Sequence, residues 1–538
     1  MTSGRLAARI GLFLGPLLFL FVSFFPLQQL TELSFESRIV LASTVWMATW
    51  WITEAIPIYV TALLPLVIFP FFHVMDIKGT SANYADQIIF LFLGGFLLAK
   101  GLEKSNLHKR FAFTILKIFG TNPKYIVAAF MGVTWLLGAW MSNTAIAILM
   151  LPIALSVISL LGNIDKQGRF VRCLLLSIAY AASISGVTTL ISTPANAIFA
   201  SLATDVTGTE VTFAQWISIG FPIGGISLVV AWLYMIRFGS KITDIKSNII
   251  GEKDIITKKL KELGNLSRDE KIVAIIFIIT ITAWITRGLL WKDFLPSIND
   301  STIAIASAIS LFLIPSSSSK YSKNRKKDVN EGNEGNDYDG YDYDDNNTNN
   351  LIKYSNNNNN NNIKNHDITE TSKNNSISNL LDWNTAIKIP WGVLILMGGG
   401  LALAHGFTST GLDEWIASNL SIVSGMPFVV IILIFVIMAI VPSELISNTA
   451  TAAILIPIAA SLATSIGINP LFLMAPVAIA ASYGFIMPVG TPPNAIVYSS
   501  GYITARQMAR AGLPLDIISI IMVTILTSIF VPLVFGIG

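Results

Sequence analysis

The sequence predicts an all-α polytopic membrane protein built from an internal repeat. Three observations carry that prediction. The first is composition: of 538 residues, 53% are hydrophobic and only 12% charged, whereas a soluble globular chain carries about 25% charged residues. The second is a series of apolar runs nearly free of charge, at 10–26, 40–51, 125–140, 221–236, 272–285 and 513–535. Roughly 20 apolar residues span a bilayer as a helix, and the runs that fall short of this suit re-entrant or broken elements. The third is a phrase that occurs twice, Ser142-Asn143-Thr144-Ala145 and Ser447-Asn448-Thr449-Ala450. Ser142 and Ser447 are 305 residues apart, as are Gly94 and Gly399, Gly101 and Gly406, and Pro152 and Pro457. A second pair of breaks follows, Thr193-Pro194-Ala195-Asn196 and Thr491-Pro492-Pro493-Asn494. One Ser-Asn-Thr alone reads as a helix cap. Two in register, each with a Thr-Pro partner downstream, are polar breaks at matching places in two apolar halves, the pattern of a transporter built from repeats.

The net charge of +3 is small for this length and gives no footprint for nucleic acid. Cys173 is the only cysteine, so no intrachain disulfide forms, and a thiol catalyst would lack a nearby base. Arg5 and Arg9 precede the first apolar run. No small-residue cleavage site follows it, so the run is expected to be an uncleaved first helix, 9–30, with a cytosolic N-terminus.

In order along the chain, 38–72 holds Glu54 in an apolar stretch, where a structural role is the favoured reading over an ion-pathway role. A glycine-containing helix covers 87–104. The mixed segment 105–121, with Lys109, Arg110 and Lys117 among Phe and Leu, fits an amphipathic interfacial helix. Apolar arms 124–141 and 145–161 flank the first Ser-Asn-Thr, which is the tip of a re-entrant hairpin or the break of a discontinuous helix. A helix over 171–190 rises to Thr193-Pro194, where Pro removes a backbone donor and the helix unwinds. Further spans are expected at 214–238, 272–291 and 301–315. Residues 239–271 are Lys-rich and polar, a soluble connector. Residues 316–379, with an unbroken Asn run from Asn356 to Asn362, read as a disordered loop because they offer too little apolar surface to offset ordering. The second half then replays the first: 385–404, an amphipathic 411–420, arms 427–441 and 450–465, a helix 470–487 and a last helix 513–537.

Broken helices leave backbone carbonyls free at one end and N–H groups free at the other. Carbonyl, hydroxyl and amide oxygens suit a hard cation such as sodium; N–H groups at the positive end of a half-helix suit an anion. Ser142 and Asn143, with backbone near Gly138 and Ser192, would enclose one cation. Ser443, Ser447 and Asn448, with backbone near Gly490, would enclose another. The two Asn amides and Thr hydroxyls would meet one anion between the repeats. The apolar stretches beside the motifs hold almost no Lys or Arg, and burying an unpaired dianion costs many kcal/mol. Bound cations would compensate it, and cation–anion symport follows. Protons carried by Glu444 or Glu54 are the alternative coupling ion, although a hydroxyl- and amide-lined site holds nothing that titrates near neutral pH.

Trp51-Ile52-Thr53-Glu54-Ala55-Ile56-Pro57, the paired Ser-Asn-Thr motifs and the run from Pro488 to Val497 resemble the divalent anion–sodium symporter family, the sodium–dicarboxylate, citrate and sulfate carriers. The likeness covers nearly the whole chain except 239–271 and 316–379. It implies two inverted-topology repeats, re-entrant hairpins tipped by the Ser-Asn-Thr motifs, helices unwound at the Thr-Pro motifs, and a homodimer that works by elevator movement of a transport domain against a scaffold. It divides the chain into N-terminal scaffold helices (1–86), a first repeat (87–238), the connector (239–271), scaffold helices of the second half (272–315), the loop (316–379) and a second repeat (380–538). It implies sodium at Gly138, Ser142, Asn143 and Ser192 and at Ser443, Ser447, Asn448 and Gly490. It implies substrate at Asn143, Thr144, Asn448 and Thr449, with Thr193, Pro194, Thr491 and Pro492 at the unwound helices. Sodium is then a co-transported ion, and no organic cofactor is expected. Some members carry Ser where this chain has Gly138, and many carry Gly at Ser192, so the first cation site is the less family-like of the two. Two Ser-Asn-Thr motifs favour C4-dicarboxylates (succinate, malate, fumarate) over sulfate or citrate as the cargo. A plasma membrane is the expected location, with an endolysosomal or vacuolar membrane as the alternative.

Rivals from other classes fare worse. An intramembrane enzyme needs a base or metal ligands within the spans, yet the four histidines (73, 108, 366, 405) fall at expected interfaces, loops or helix ends and form no His-Glu-x-x-His pair. A passive channel would show rings of charge or a gating constriction.

Overall fold

Backbone N–H and C=O groups inside a bilayer must be satisfied within the segment, which favours helices. The computed structural model is accordingly helical throughout and has no extended strand among the described residues, which are 2–25, 32–118, 122–159, 168–239, 242, 252–317, 379–419 and 425–537. Most of the expected loop 316–379 and part of the connector 239–271 lie outside them. The longer helices are α1 (Thr2–Phe24), α2 (Phe35–Thr53), α3 (Gln87–Lys104), α4 (Leu107–Ile118), α5 (Pro123–Gly138), α6 (Asn143–Ile158), α7 (Arg169–Ser185), α8 (Pro194–Thr207), α9 (Phe213–Tyr234), α10 (Glu252–Glu262), α11 (Arg268–Thr286), α12 (Asp300–Leu313), α13 (Trp391–Thr410), α14 (Leu412–Asn419), α15 (Phe428–Ser443), α16 (Asn448–Ser465), α17 (Leu471–Ala481), α18 (Pro492–Ser499) and α19 (Ala505–Phe535). Seven helices among the described residues are long and apolar enough to cross a membrane.

The ends are fixed by local chemistry. Ser267 with Glu270 and Thr504 with Gln507 form capping boxes that satisfy the first free N–H groups of α11 and α19. The box at Thr504 starts the last helix well before the expected 513. Helix α1 covers Thr2–Phe24, and the end expected at 30 lies outside the described residues. The final helix is built inside out relative to a soluble one. Leu513, Ile517, Ile521, Ile525, Ile529 and Leu533 recur every four residues on its exposed face. Asp516, Ser519, Thr524 and Thr527 are buried on the opposite face, as expected where lipid is the outer solvent and polar groups seek the protein interior.

The Ser of each Ser-Asn-Thr ends a short turn between two packed arms, α5 with α6 and α15 with α16, and the Asn and Thr begin the second arm. Helices α5 and α6 have 16 residues each, or about 24 Å at 1.5 Å per residue, too short for a hydrocarbon core of about 30 Å. The following helix lies against both arms of its hairpin, α7 in the first half and α17 in the second. The half-helices then cross over. Helix α8 packs on α16 and α17, and α18 packs on α6 and α7.

The repeated glycines share one function. A Cβ at Gly94 would meet Ala304 Cβ at 2.6 Å, and one at Gly101 would meet Leu311 Cδ1 at 2.6 Å, so α3 lies directly on α12. In the second half a Cβ at Gly399 would strike the carbonyl of Ala62, and one at Gly406 would meet Phe69 at 2.9 Å. Ala62 and Phe69 have the same spacing as Ala304 and Leu311. Each glycine helix thus rests on a helix from the other half. Arg287 ties these layers. Fully buried, it donates through Nη1 and Nη2 to Glu210 at 3.0 and 2.9 Å, through Nη1 to Asp300 at 3.2 Å, and through Nε to the Ile298 carbonyl at 2.6 Å. Helix α4 is amphipathic as expected, with His108, Ala112, Phe113 and Leu116 buried, and Arg110 anchors it to Glu270 at 2.6 Å.

Candidate functional site

The crossing half-helices bring all four polar breaks to one cavity of about 610 Å³. Ser142, Asn143 and Thr144 line it from one hairpin tip, Ser447, Asn448 and Thr449 from the other. Ser192, Thr193 and Pro194 and then Gly490, Thr491 and Pro492 line it from the two Thr-Pro breaks. Gly138 and Ser443 do not line it; both are buried one layer below.

Four helices start at this cavity: α6 at Asn143, α16 at Asn448, α8 at Pro194 and α18 at Pro492. A helix N-terminus carries roughly half a positive charge, so four of them present on the order of +2. That matches a dianion. The prolines at the starts of α8 and α18 lack N–H groups, which leaves the amides of Asn143 and Asn448 and the hydroxyls of Thr144 and Thr449 as the stronger candidate donors.

The breaks are wider than the sequence reading placed them. Helix α7 stops at Ser185 and α17 at Ala481 rather than running to 190 and 487. The freed carbonyls have found a partner in each half. Asn196 Nδ2 donates to the carbonyls of Gly186 at 2.8 Å and Thr189 at 2.9 Å. Asn494 Nδ2 donates to those of Gly484 at 3.1 Å and Met487 at 3.0 Å. The two clamps span the same sequence separations, ten and seven residues. Both Asn residues stand third after the Thr of a Thr-Pro, a regularity visible in the sequence, yet neither was singled out there as a site residue.

Around the first candidate cation position, Ser142 Oγ accepts the N–H of Ala145 at 3.2 Å and caps α6. Ser192 Oγ is bonded to the carbonyls of Gly186 at 2.6 Å and Thr189 at 2.7 Å. A Cβ at Gly138 would strike Ser185 Oγ. Ser185 also donates to Asn143 Oδ1 at 3.4 Å. The hydroxyl that a Ser at 138 would supply is thus replaced in space by that of Ser185, which the sequence reading did not place at a cation site. Around the second position, Ser443 Oγ is bonded to the carbonyls of Ala439 at 2.8 Å and Ala481 at 3.1 Å. Ser447 begins α16 with its hydroxyl not used as a cap. Gly490 lies against Glu444, where a Cβ would meet Oε2 at 3.0 Å.

Charges enter from a distance in sequence. Lys100, Lys388 and Glu54 line the cavity. The expectation of almost no basic side chains held for the stretches flanking the motifs; the fold imports two lysines from elsewhere. Lys100 pairs with Glu103 at 2.5 Å, and Lys388 is exposed. Glu54 is exposed at the left-handed C-cap of α2, with φ 47°.

The family description "Sodium:sulfate symporter transmembrane region" matches residues 8–537. The sodium-dependent dicarboxylate transporter SdcS of Staphylococcus saprophyticus is 38% identical over 537 residues, covering 98% of this chain and 92% of that protein. The protein of the same name from Staphylococcus aureus is 37% identical over the same span. The crystal structure of the Alcanivorax borkumensis YdaH transporter, described as having an unusual topology, covers 92% of this chain at a TM-score of 0.54 and 12% identity, a likeness of fold. A match over almost the whole chain, together with two hairpin tips and two unwound helices meeting at one cavity, shows that the protein is an integral membrane transporter, not an enzyme, and belongs to the sodium:sulfate symporter family.

Proposed function

We propose that this protein is a sodium-coupled symporter of C4-dicarboxylates. The observation that carries the reading is the convergence of four helix N-termini and both Ser-Asn-Thr tips on one cavity. Succinate, malate or fumarate spans from tip to tip, one carboxylate at Asn143 and Thr144 and the other at Asn448 and Thr449. Thr193 and Pro194 and then Thr491 and Pro492 close the sides. One sodium ion sits at Gly138, Ser142, Asn143 and Ser192, with Ser185 within reach, and a second at Ser443, Ser447, Asn448 and Gly490. Sodium in these sites fixes the tips in the shape that receives the dianion, which couples the two gradients. The high identity to sodium-dependent dicarboxylate transporters supports both the ion and the cargo class. The hairpins and their companion helices move as a transport domain against the remaining scaffold, in a homodimer in the plasma membrane. Proteoliposomes test the reading. Radiolabelled succinate is expected to accumulate under an inward sodium gradient and not under potassium with an inward proton gradient. Uptake driven by protons alone would overturn the ion assignment. Sodium-driven sulfate uptake without succinate uptake would overturn the cargo.

A further inference from the structure

Beside the first hairpin the central cavity has a neighbour. Lys100, Ala145 and Ile148 line the central cavity and also a second one of about 730 Å³, so the two share this border. The second cavity lies between α4, α10 and the arm α6, with Phe113, Ile153 and Val157 among its apolar walls. It holds three lysines, Lys100, Lys109 and Lys259, against two glutamates, Glu103 and Glu262. Helices α4 and α10 are rich in Lys and Arg, which assigns them to the cytosolic face by the positive-inside tendency.

Lys100 stands at the border, on α3. Its Nζ pairs with Glu103 Oε2 one turn on at 2.5 Å, and both side chains are partly buried. The basic character belongs to this half alone. The second half has a counterpart cavity of about 780 Å³ along α16. There Asp413 and Glu414 stand 305 residues after His108 and Lys109. None of the residues lining that cavity lines the central one. Of the two counterparts, the one that meets the central cavity is thus the basic one.

A dianion that departs from the central cavity leaves four helix ends behind, and an unpaired charge between apolar walls is costly. A fixed cation within reach of both spaces lowers that cost, and Lys100 has this position. We propose, resting on the reading of the cargo as a dianion, that Lys100 is a carboxylate-binding residue on the cytosolic passage. Its ammonium takes one carboxylate of the cargo as that group leaves Asn143 and Thr144, and Glu103 competes for the same ammonium. The competition keeps the hold weak, because a site along a passage has to be left as readily as it is entered.

Membrane vesicles of both orientations test this. Right-side-out and inverted vesicles from one expression host give the half-saturation for succinate at the outer and the cytosolic face. If the native carrier takes sulfate and not succinate, the cargo reading fails by itself and sulfate becomes the probe for Lys100. Lys100→Gln is expected to raise the cytosolic value roughly threefold to tenfold, the span of a charge contact at a partly wet site, and to leave the outer one within about twofold. Glu103→Gln frees the ammonium and should lower the cytosolic value. The opposite signs separate a binding residue from a structural ion pair, which either substitution breaks alike. Lys100→Arg keeps the charge and should restore most of the affinity. If Lys100→Gln does not insert, Glu103→Gln carries the test alone. An unchanged cytosolic value in Lys100→Gln, a rise of equal size at both faces, or a Glu103→Gln value that does not fall would each overturn the proposal.

Discussion

Asn143 and Asn448 open the helices that start at the cavity, each with an amide that offers both an oxygen and donors. One side chain can therefore offer ligands to a cation and to an anion at once, and the proposed coupling rests on that double capacity. Replacing either by Ala removes both roles. Asn143→Ala and Asn448→Ala are expected to abolish coupled uptake while leaving membrane insertion normal. Thr144→Val and Thr449→Val remove only one hydroxyl donor to a charged group, worth about 1.5–3 kcal/mol. They should raise the apparent KM for succinate by roughly 10–100-fold with a smaller effect on the maximal rate. Near-normal uptake by both Asn variants would remove the binding assignment. These four residues were legible in the sequence because motif and repeat point at them twice. Lys100, Lys388 and Ser185 were not, since each reaches the site through packing between distant segments and none stands in a repeated phrase.

At the scale of the element, the glycines show what a repeat does and does not reveal. Their matched spacing was readable from the chain, as were the hairpin arms. What each glycine touches was not, because Gly94 rests on Ala304 and Gly399 on Ala62, both far away in sequence. The choice between a hairpin and a discontinuous helix was likewise open from the residues alone; what the fold adds is that the two arms of each pair touch each other and that α7 and α17 lie against both. The widths of the unwound segments were misjudged for a local reason. Pro194 and Pro492 mark where a helix restarts, not where the previous one stops, and the stop is set by the Asn196 and Asn494 clamps. The close helix contacts make a comparison within one protein. Gly94→Ala and Gly399→Ala force a methyl into occupied space, an overpacking that costs typically 1–3 kcal/mol. Gly132→Ala meets nothing within 4 Å and gains helix propensity of about 1 kcal/mol. Thermal unfolding in detergent should show the first two below the native protein and the third at or above it. Equal midpoints for all three would mean that the glycines are not packing contacts.

For the whole molecule, the two halves are joined by exchange. Each glycine helix leans on the other half's short apolar helix, and each half-helix leans on the other half's hairpin. Arg287 sits in this arrangement with Glu210 and Asp300 as partners. A buried ion pair contributes little over an apolar replacement, but removing one partner leaves an uncompensated charge and costs about 3–5 kcal/mol. Arg287→Ala should therefore lower expression and the unfolding midpoint sharply, and Arg287→Ala with Glu210→Gln and Asp300→Asn should recover part of the loss. A triple variant no better than the single one would show that the guanidinium acts through its bond to the Ile298 carbonyl instead.

The connection between residues 317 and 379 gives the last test of how the halves are joined. Its two ends are held beside each other. Pro315 and Asn379 form an antiparallel bridge, the Leu380 N–H donates to the Ile314 carbonyl at 2.9 Å, and the Leu381 N–H donates to the Leu311 carbonyl at 3.0 Å. Lys104 secures the same place, reaching the Asn379 carbonyl at 2.7 Å and pairing with Asp382. Because the ends already meet, what lies between them has no span to bridge, and the entropy of closing a loop changes only slowly with its length, by about 0.6 kcal/mol per doubling. Replacing 318–378 with a short Gly-Ser linker should leave both the unfolding midpoint and sodium-driven uptake close to those of the native protein. The variant Lys104→Ala in the shortened chain should cost more stability than in the full one if the clasp then carries the joint under tension, and the same amount if the linker is slack. A shortened protein that folds and inserts but has lost transport would assign the segment a part in the cycle, against the geometry of its ends.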